Sequence, residues 1–230
     1  MFPLKDTIRS RSFPLVNWLI IAANLLIFIY ASSLGNAIDN FYSTYGLIPA
    51  SFSFSNPQSL LTLFTSMFLH GGWLHIISNL WALYIFGDNV EDRMGPVGYL
   101  VFYLLCGLAA GLAQVVLTPD QSIPGIGASG AIAGVLAAYL VLFPRSRVIT
   151  LILLFFFITF AEIPAVLYLG FWFLVQFLSG LMTLGASQNV GGIAYWAHIG
   201  GFLSGLLLVY LFAGRPRAQP RSYPDEYRPW

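Results

Sequence analysis

The chain has three histidines, His70, His75 and His198, and each lies in or beside a long apolar stretch. Asn79 and Ser129 lie in such stretches as well. Polar groups inside hydrocarbon are costly, so they are functional candidates by default. A serine beside a histidine can act as a nucleophile, the imidazole taking the hydroxyl proton. Ser129 stands at the start of an apolar run. At a helix start, free backbone N–H groups and the helix dipole favour the negative charge that such an attack creates. His75 and Asn79 are four residues apart and share one helix face. Helical side chains lean toward the N-terminus, so Asn79 leans toward the level of His75 and two polar groups face one point.

The elements that must hold these residues follow from composition. Of 230 residues, 58% are hydrophobic and only 8% charged, with a net charge of +1. A water-soluble domain carries about 25% charged residues, so a soluble enzyme is excluded. Ten basic residues scattered among nine acidic ones form no basic face, which excludes a nucleic-acid binder. The single cysteine, Cys106, allows no internal disulfide. A membrane span needs about 20 apolar residues. Six stretches qualify, at about 15–34, 68–87, 96–117, 128–143, 164–184 and 193–213. A seventh, 148–160 (VITLILLFFFITF), is too short and runs into Glu162 and Pro164; it is expected to be an interfacial or re-entrant piece. The first stretch has a longer apolar core than a secretion signal and is expected to remain as a span.

Lys and Arg favour the cytoplasmic side of short loops. Lys5, Arg9, Arg11, Arg93, Arg145, Arg147, Arg215, Arg217, Arg221 and Arg228 all fall on one side if there are six spans. A seventh crossing would move the last four outside. The expected fold is therefore all-α: a compact six-span bundle over 15–213, with a cytoplasmic segment 1–14 before it. A Pro- and Arg-rich cytoplasmic tail, 214–230, follows and is expected to be disordered. No internal repeat is visible, which weakens an inverted-repeat transporter.

Measured from the inner ends of their spans at 1.5 Å per residue, His75, Ser129 and His198 lie roughly 18, 21 and 22 Å up. Three polar residues from three helices thus share one level in the outer half of the bilayer. The fourth span is short, so its start is sunk and loop 118–127 (TPDQSIPGIG) must dip to reach it. Gly130 and Gly134 continue from Ser129, and Ala197, Gly201 and Gly205 flank His198. Small residues every four positions let membrane helices approach closely, which would bring Ser129 and His198 within hydrogen-bond reach.

Singly, these residues carry little weight: a serine in a span commonly bonds its own backbone, and a lone His or Asn is often interhelical glue. His70 and His75 are five apart, on different helical faces, and HExxH is absent, so no zinc site is expected. No pair of intramembrane aspartates occurs. Asp88, Glu91 and Asp92 read as a solvated helix end, and Trp172 and Gln176 as packing and hydrogen-bonding residues.

Together, the stretches 68–80 (FLHGGWLHIISNL), 127–134 (GASGAIAG) and 197–201 (AHIGG) resemble the rhomboid family of intramembrane serine proteases. The order and number of spans fit, and the inner-loop run 91–95 (EDRMG) and the Phe143–Pro144–Arg145 turn look like bacterial members. The resemblance implies a Ser–His dyad, Ser129 as nucleophile and His198 as general base, with no third carboxylate. It implies that His75 and Asn79 stabilise the oxyanion, and that His70, Gly127, Gly130 and Gly201 give structural support. It implies single-span membrane proteins as substrates, cut near their outer end at small residues, with the fifth span and outer loops as a lateral gate. No cofactor, metal or nucleic acid is expected; the lipid bilayer is. A bacterial inner membrane with the site opening outward is the expected location. There are departures. Leu61 and Thr62 stand where many members have Trp-Arg. Ala133 stands where some have an aromatic against the base histidine. Ala128, not proline, precedes the serine, which favours an active enzyme over a pseudoprotease. The competing readings are a non-catalytic rhomboid-like chaperone and a transporter using His75, Asn79 and His198 as a polar path.

Overall fold

In the computed structural model, residues 2–154, 157–183 and 193–214 are described. Helix α1 (Leu15–Ser33) is followed by a short helix α2 (Ile38–Tyr45) and by α3 (Pro57–Thr65). Then come α4 (Trp73–Ala82), a π-helical turn (Leu83–Gly87) and α5 (Asp88–Met94), which form one continuous helical run. Helices α6 (Pro96–Leu117), α7 (Ser129–Leu142), α8 (Ala165–Thr183) and α9 (Tyr195–Phe212) complete the bundle. The fold is mostly helical, and four or five of the six expected spans have helices long and apolar enough to cross. By length and composition, α1, α6, α8 and α9 could each cross a membrane alone. The run Trp73–Met94 joins Pro57–Phe68 at an 80° bend and makes a fifth candidate as a pair; Ser129–Leu142 is a shorter apolar helix.

Helix α7 sits at the centre. Every residue from Gly130 to Tyr139 is buried, the signature of a helix that is apolar all round and covered on all sides. Its neighbours come close because side chains are missing at the crossings. A β-carbon at Gly201 would overlap the Gly130 carbonyl oxygen, and one at Gly205 would lie 2.5 Å from the Gly134 oxygen. On α6, Ala110 would lie 2.5 Å from a β-carbon at Gly130. Helices α7 and α9 thus meet backbone to backbone, with α6 packed closely against α7 through small side chains.

At the inner end, Glu91 is buried and its carboxylate accepts the Val16 (3.0 Å) and Asn17 (2.7 Å) backbone N–H groups. It caps the first turn of α1, satisfying donors that have no intrahelical acceptor. Glu91 is therefore not part of a solvated helix end, because the start of α1 covers it. Asn17 in turn donates to the Leu83 carbonyl in the π turn and accepts from the Tyr99 hydroxyl.

The fold also holds a small sheet that an all-α reading does not contain. Residues 148–154 and 157–160 of the short apolar stretch lie in two antiparallel strands, β2 (Arg147–Leu154) and β3 (Phe157–Pro164). Strand β1 (Phe2–Asp6), from the segment before the first span, pairs with β2 to give the order β1-β2-β3. The β-branched residues Val148, Ile149, Thr150 and Ile152 suit a strand. What holds β1 is specific: Trp81 Nε1–H donates to the Pro3 carbonyl (2.6 Å), Tyr139 donates to Asp6 (2.5 Å) and Asn89 donates to Asp6 (2.9 Å). Burial, with Asp88 nearby, pushes the Asp6 carboxyl up from 3.8 to about 7. The tail expected to be disordered lies, from residue 215, outside the described residues.

Candidate active site

Ser129 is the first residue of α7, and His198 lies in the first turn of α9. The crossing at Gly130 and Gly201 sets the distance between them. Ser129 Oγ lies 2.7 Å from His198 Nε2. His198 is 8% exposed, while Ser129 is only half-buried. The imidazole is thus shielded on its helix side while the hydroxyl stays open to a reactant.

The other ring nitrogen meets α8. Gln176 Oε1 lies 2.7 Å from His198 Nδ1. An amide oxygen can only accept, so Nδ1 carries the proton and Nε2 is left to accept from the Ser129 hydroxyl. Trp172, four residues earlier on the same face of α8, lies over the imidazole with ring centroids 5.8 Å apart and planes 33° apart. Both side chains read as packing and hydrogen-bonding residues in the sequence; that their partner is His198 is a tertiary fact.

His75 comes from the first turn of α4. A β-carbon at Gly127 would lie 2.7 Å from His75 Nε2 and 3.5 Å from Ser129 Oγ. The three residues therefore surround one point, and Gly127 leaves it open. Its φ of +139° is also one that L side chains rarely adopt. Asn79 is buried, and one of its two Nδ2 hydrogens donates to the His75 carbonyl (2.9 Å). His70 is not on the helix at all but in the turn before α4, so the expected different-face geometry does not apply. Its ring lies 5.0 Å from that of His75, edge to face. It is fully buried, and its carbonyl accepts from the Tyr42 hydroxyl (2.7 Å).

Other residues tie the loop before Ser129 to its surroundings. Gly127 N–H donates to the Ser66 carbonyl (2.9 Å), and Gly125 and Leu47 exchange both backbone bonds (2.7 and 2.9 Å). Gln114 on α6 accepts from the Ala197 N–H (3.0 Å), next to His198, and donates to Gln121 (2.7 Å). One glutamine thus joins the serine loop to the start of the histidine helix. The sequence reading missed it, although a lone amide in an apolar span is the signal that singled out Asn79. Thr62 Oγ1 donates to the Ser59 carbonyl of its own helix (2.8 Å). A cavity of about 40 Å³ lies beside Ser129, lined by Met67, Gly107, Ala110, Gly127 and Ala131 among others.

Membrane-length apolar helices packed around a buried central helix, whose Ser129 is in hydrogen-bond contact with His198, define a polytopic membrane protein. The family model described as the Rhomboid domain matches residues 57–215, more than half of the chain. The chain belongs to the rhomboid family. It is 28% identical to the Rhomboid-like protein 11, chloroplastic, of Arabidopsis thaliana over 85% of this chain and 68% of that one. It is 30% identical to the Rhomboid protein 1, mitochondrial, of Saccharomyces cerevisiae over 65% of this chain and 41% of that one. It is also 30% identical to the Inactive rhomboid protein 1 of Drosophila melanogaster over 48% of this chain and 8% of that one. The yeast and fly relatives are therefore much longer than the region they share with it. The chain is an integral membrane protein with the bilayer as its surroundings. The expectation of a bacterial inner membrane finds no support in relatives named as chloroplastic and mitochondrial.

Proposed function

We propose that the chain is an intramembrane serine endopeptidase that cuts single membrane-spanning helices near their outer end through Ser129 and His198. The observation that carries this reading is the 2.7 Å contact between Ser129 Oγ and His198 Nε2 at adjoining helix ends. In this mechanism Nε2 takes the hydroxyl proton as Oγ attacks the scissile carbonyl. The carbonyl electrons move onto oxygen, and the oxyanion sits among the Ser129 N–H at the α7 start, the free hydrogen of the Asn79 amide, and His75. Collapse breaks the C–N bond, and the protonated His198 gives its proton to the leaving amine. Water then attacks the acyl-serine, with His198 again the base, and restores Oγ–H.

Positioned donors that meet charge only as it develops supply the main rate advantage of such sites. The glycine- and alanine-rich lining of the cavity beside Ser129 fits cleavage at small side chains. An apolar groove of about 480 Å³ along α8, from Ile163 to Val175, offers a surface for a substrate helix. A helix hides its own peptide bonds, so the substrate must unwind locally before attack. In the proposed topology, six spans fill 15–213, segments 1–14 and 214–230 are cytoplasmic, and the site opens to the opposite face.

The test is labelling of the purified protein by a fluorophosphonate probe. Labelling that is lost in Ser129→Ala supports the hydrolase, and a folded wild type that takes no label refutes it. The second reading, a non-catalytic rhomboid-like protein, draws on the relative named as inactive. It predicts no labelling at all.

A further inference from the structure

From Ser129 to Ala138, α7 carries no aromatic ring (SGAIAGVLAA), so it offers none against the base histidine; the orientation of His198 has to come from elsewhere. Two observations locate its source on α8. Gln176 Oε1 is 2.7 Å from Nδ1, and the Trp172 indole lies over the ring at 5.8 Å. Gln176 is 9% exposed, and its amide is enclosed between α8 and α9. The contact reaches across 22 positions in sequence and joins the helix of the base to a helix that carries neither reacting group.

We propose that Gln176 is the positioning residue of the site, a neutral third member that fixes the tautomer and angle of His198, with Trp172 bracing the face of the ring. This rests on the hydrolase reading above. The proton on Nδ1 is held toward Gln176, so the lone pair of Nε2 points at Ser129 rather than away from it. When Nε2 takes the serine proton, the ring becomes a cation. The Gln176 carbonyl dipole then stabilises that cation without placing a permanent charge in the apolar interior, where an unpaired carboxylate would be costly. Trp172 also lines the groove along α8 that Ile163, Leu167 and Phe171 share. Occupancy of that groove therefore reaches the base through one side chain, and α8 both borders the substrate surface and holds the catalytic ring.

The experiment measures fluorophosphonate labelling of full-length protein in detergent from pH 5 to 9, separating the maximal rate (kinact) from the half-saturating concentration (KI). Besides Gln176 and Trp172 on α8, the groups near His198 among the described residues include Ser129 from α7, His75 from α4 and Tyr195 one turn earlier on α9. Gln176→Leu is expected to lower kinact about 10–100-fold with KI unchanged, the range for losing a hydrogen bond to a group that becomes charged. Gln176→Glu is expected to restore kinact at alkaline pH and to move the acid limb upward, because a carboxylate on Nδ1 holds the imidazolium. A merely structural glutamine would move neither the limb nor kinact selectively. A folded Leu variant that labels like wild type overturns the proposal. So does a folded Glu variant that labels at least about tenfold slower than wild type at every pH, and that comparison with wild type decides if the Leu variant fails to fold. A folded wild type that takes no label overturns the hydrolase reading itself, and this proposal with it; wild-type labelling beside an unaffected Leu variant overturns this proposal alone.

Discussion

Gly201→Ala tests the idea that the helix crossing sets the catalytic distance. The new methyl carbon would overlap the Gly130 carbonyl oxygen, which is helix backbone rather than a flexible side chain and cannot swing aside. Ordinary contact requires about 3.4 Å, so α7 and α9 must separate by roughly 1 Å or more. Ser129 is one residue from Gly130, and His198 is three from Gly201. The separation therefore falls directly on the 2.7 Å bond between them. A misplacement of about 1 Å in a catalytic pair costs on the order of 10²-fold in rate. Overpacking itself costs about 1–3 kcal/mol of stability. The assay is the fluorophosphonate labelling rate, read beside thermal unfolding in detergent. Gly170→Ala on α8 serves as the control, since a β-carbon there meets nothing within 4 Å. The prediction is a labelling rate about 100-fold lower for Gly201→Ala, a lowered midpoint, and no change for Gly170→Ala. A folded Gly201→Ala protein that labels at the wild-type rate would refute the reasoning.

Three further outcomes follow from named contacts. Asn79→Ala should lower the labelling rate by about 10²–10³, the usual cost of one oxyanion donor; an unchanged rate removes Asn79 from the site. Asp6, whose carboxyl is raised to about 7, holds its proton in the folded state between about pH 4 and 7. Its contribution to stability is complete below that window and is lost as pH rises through 7. The thermal midpoint should therefore fall from pH 5 to 8, and fall less steeply in Asp6→Asn, where Asp88, also raised by burial, leaves a residual slope; identical slopes would contradict this. Glu91→Ala strips two backbone donors of their cap and should lower unfolding free energy by about 1–3 kcal/mol, with labelling retained in the folded fraction; an unchanged denaturation midpoint would count against it.

Most of the helical layout was legible because span length and apolar runs follow from hydrocarbon thickness, a one-dimensional constraint. Helix α6 matches its expected stretch residue for residue. The strand pair was not legible. A continuous apolar run such as 148–160 has no period to separate strand from buried helix, and its partner, β1, lies more than 140 positions away in sequence. At the site, Ser129, His198, His75 and Asn79 could be named because each is a polar exception in an apolar span. Gln176 and Trp172 carry the same signal, yet amides and indoles in spans are common enough that only the fold distinguishes a contact to His198 from packing. His70 was misplaced for a local reason: a helical wheel was applied to a residue that precedes the helix. Glu91 was misread because its covering element, α1, lies far back in the chain.

The central claim is peptide-bond hydrolysis inside the membrane. Its most direct measurement reconstitutes the purified protein in lipid vesicles with a single-span helical substrate carrying small residues near its outer end, and reads the products by mass spectrometry. The account predicts cleavage at a small residue in the outer part of the span by wild type, and none by Ser129→Ala or His198→Ala. Cleavage that persists in folded Ser129→Ala, or a folded wild type that leaves every such helix intact, would contradict it.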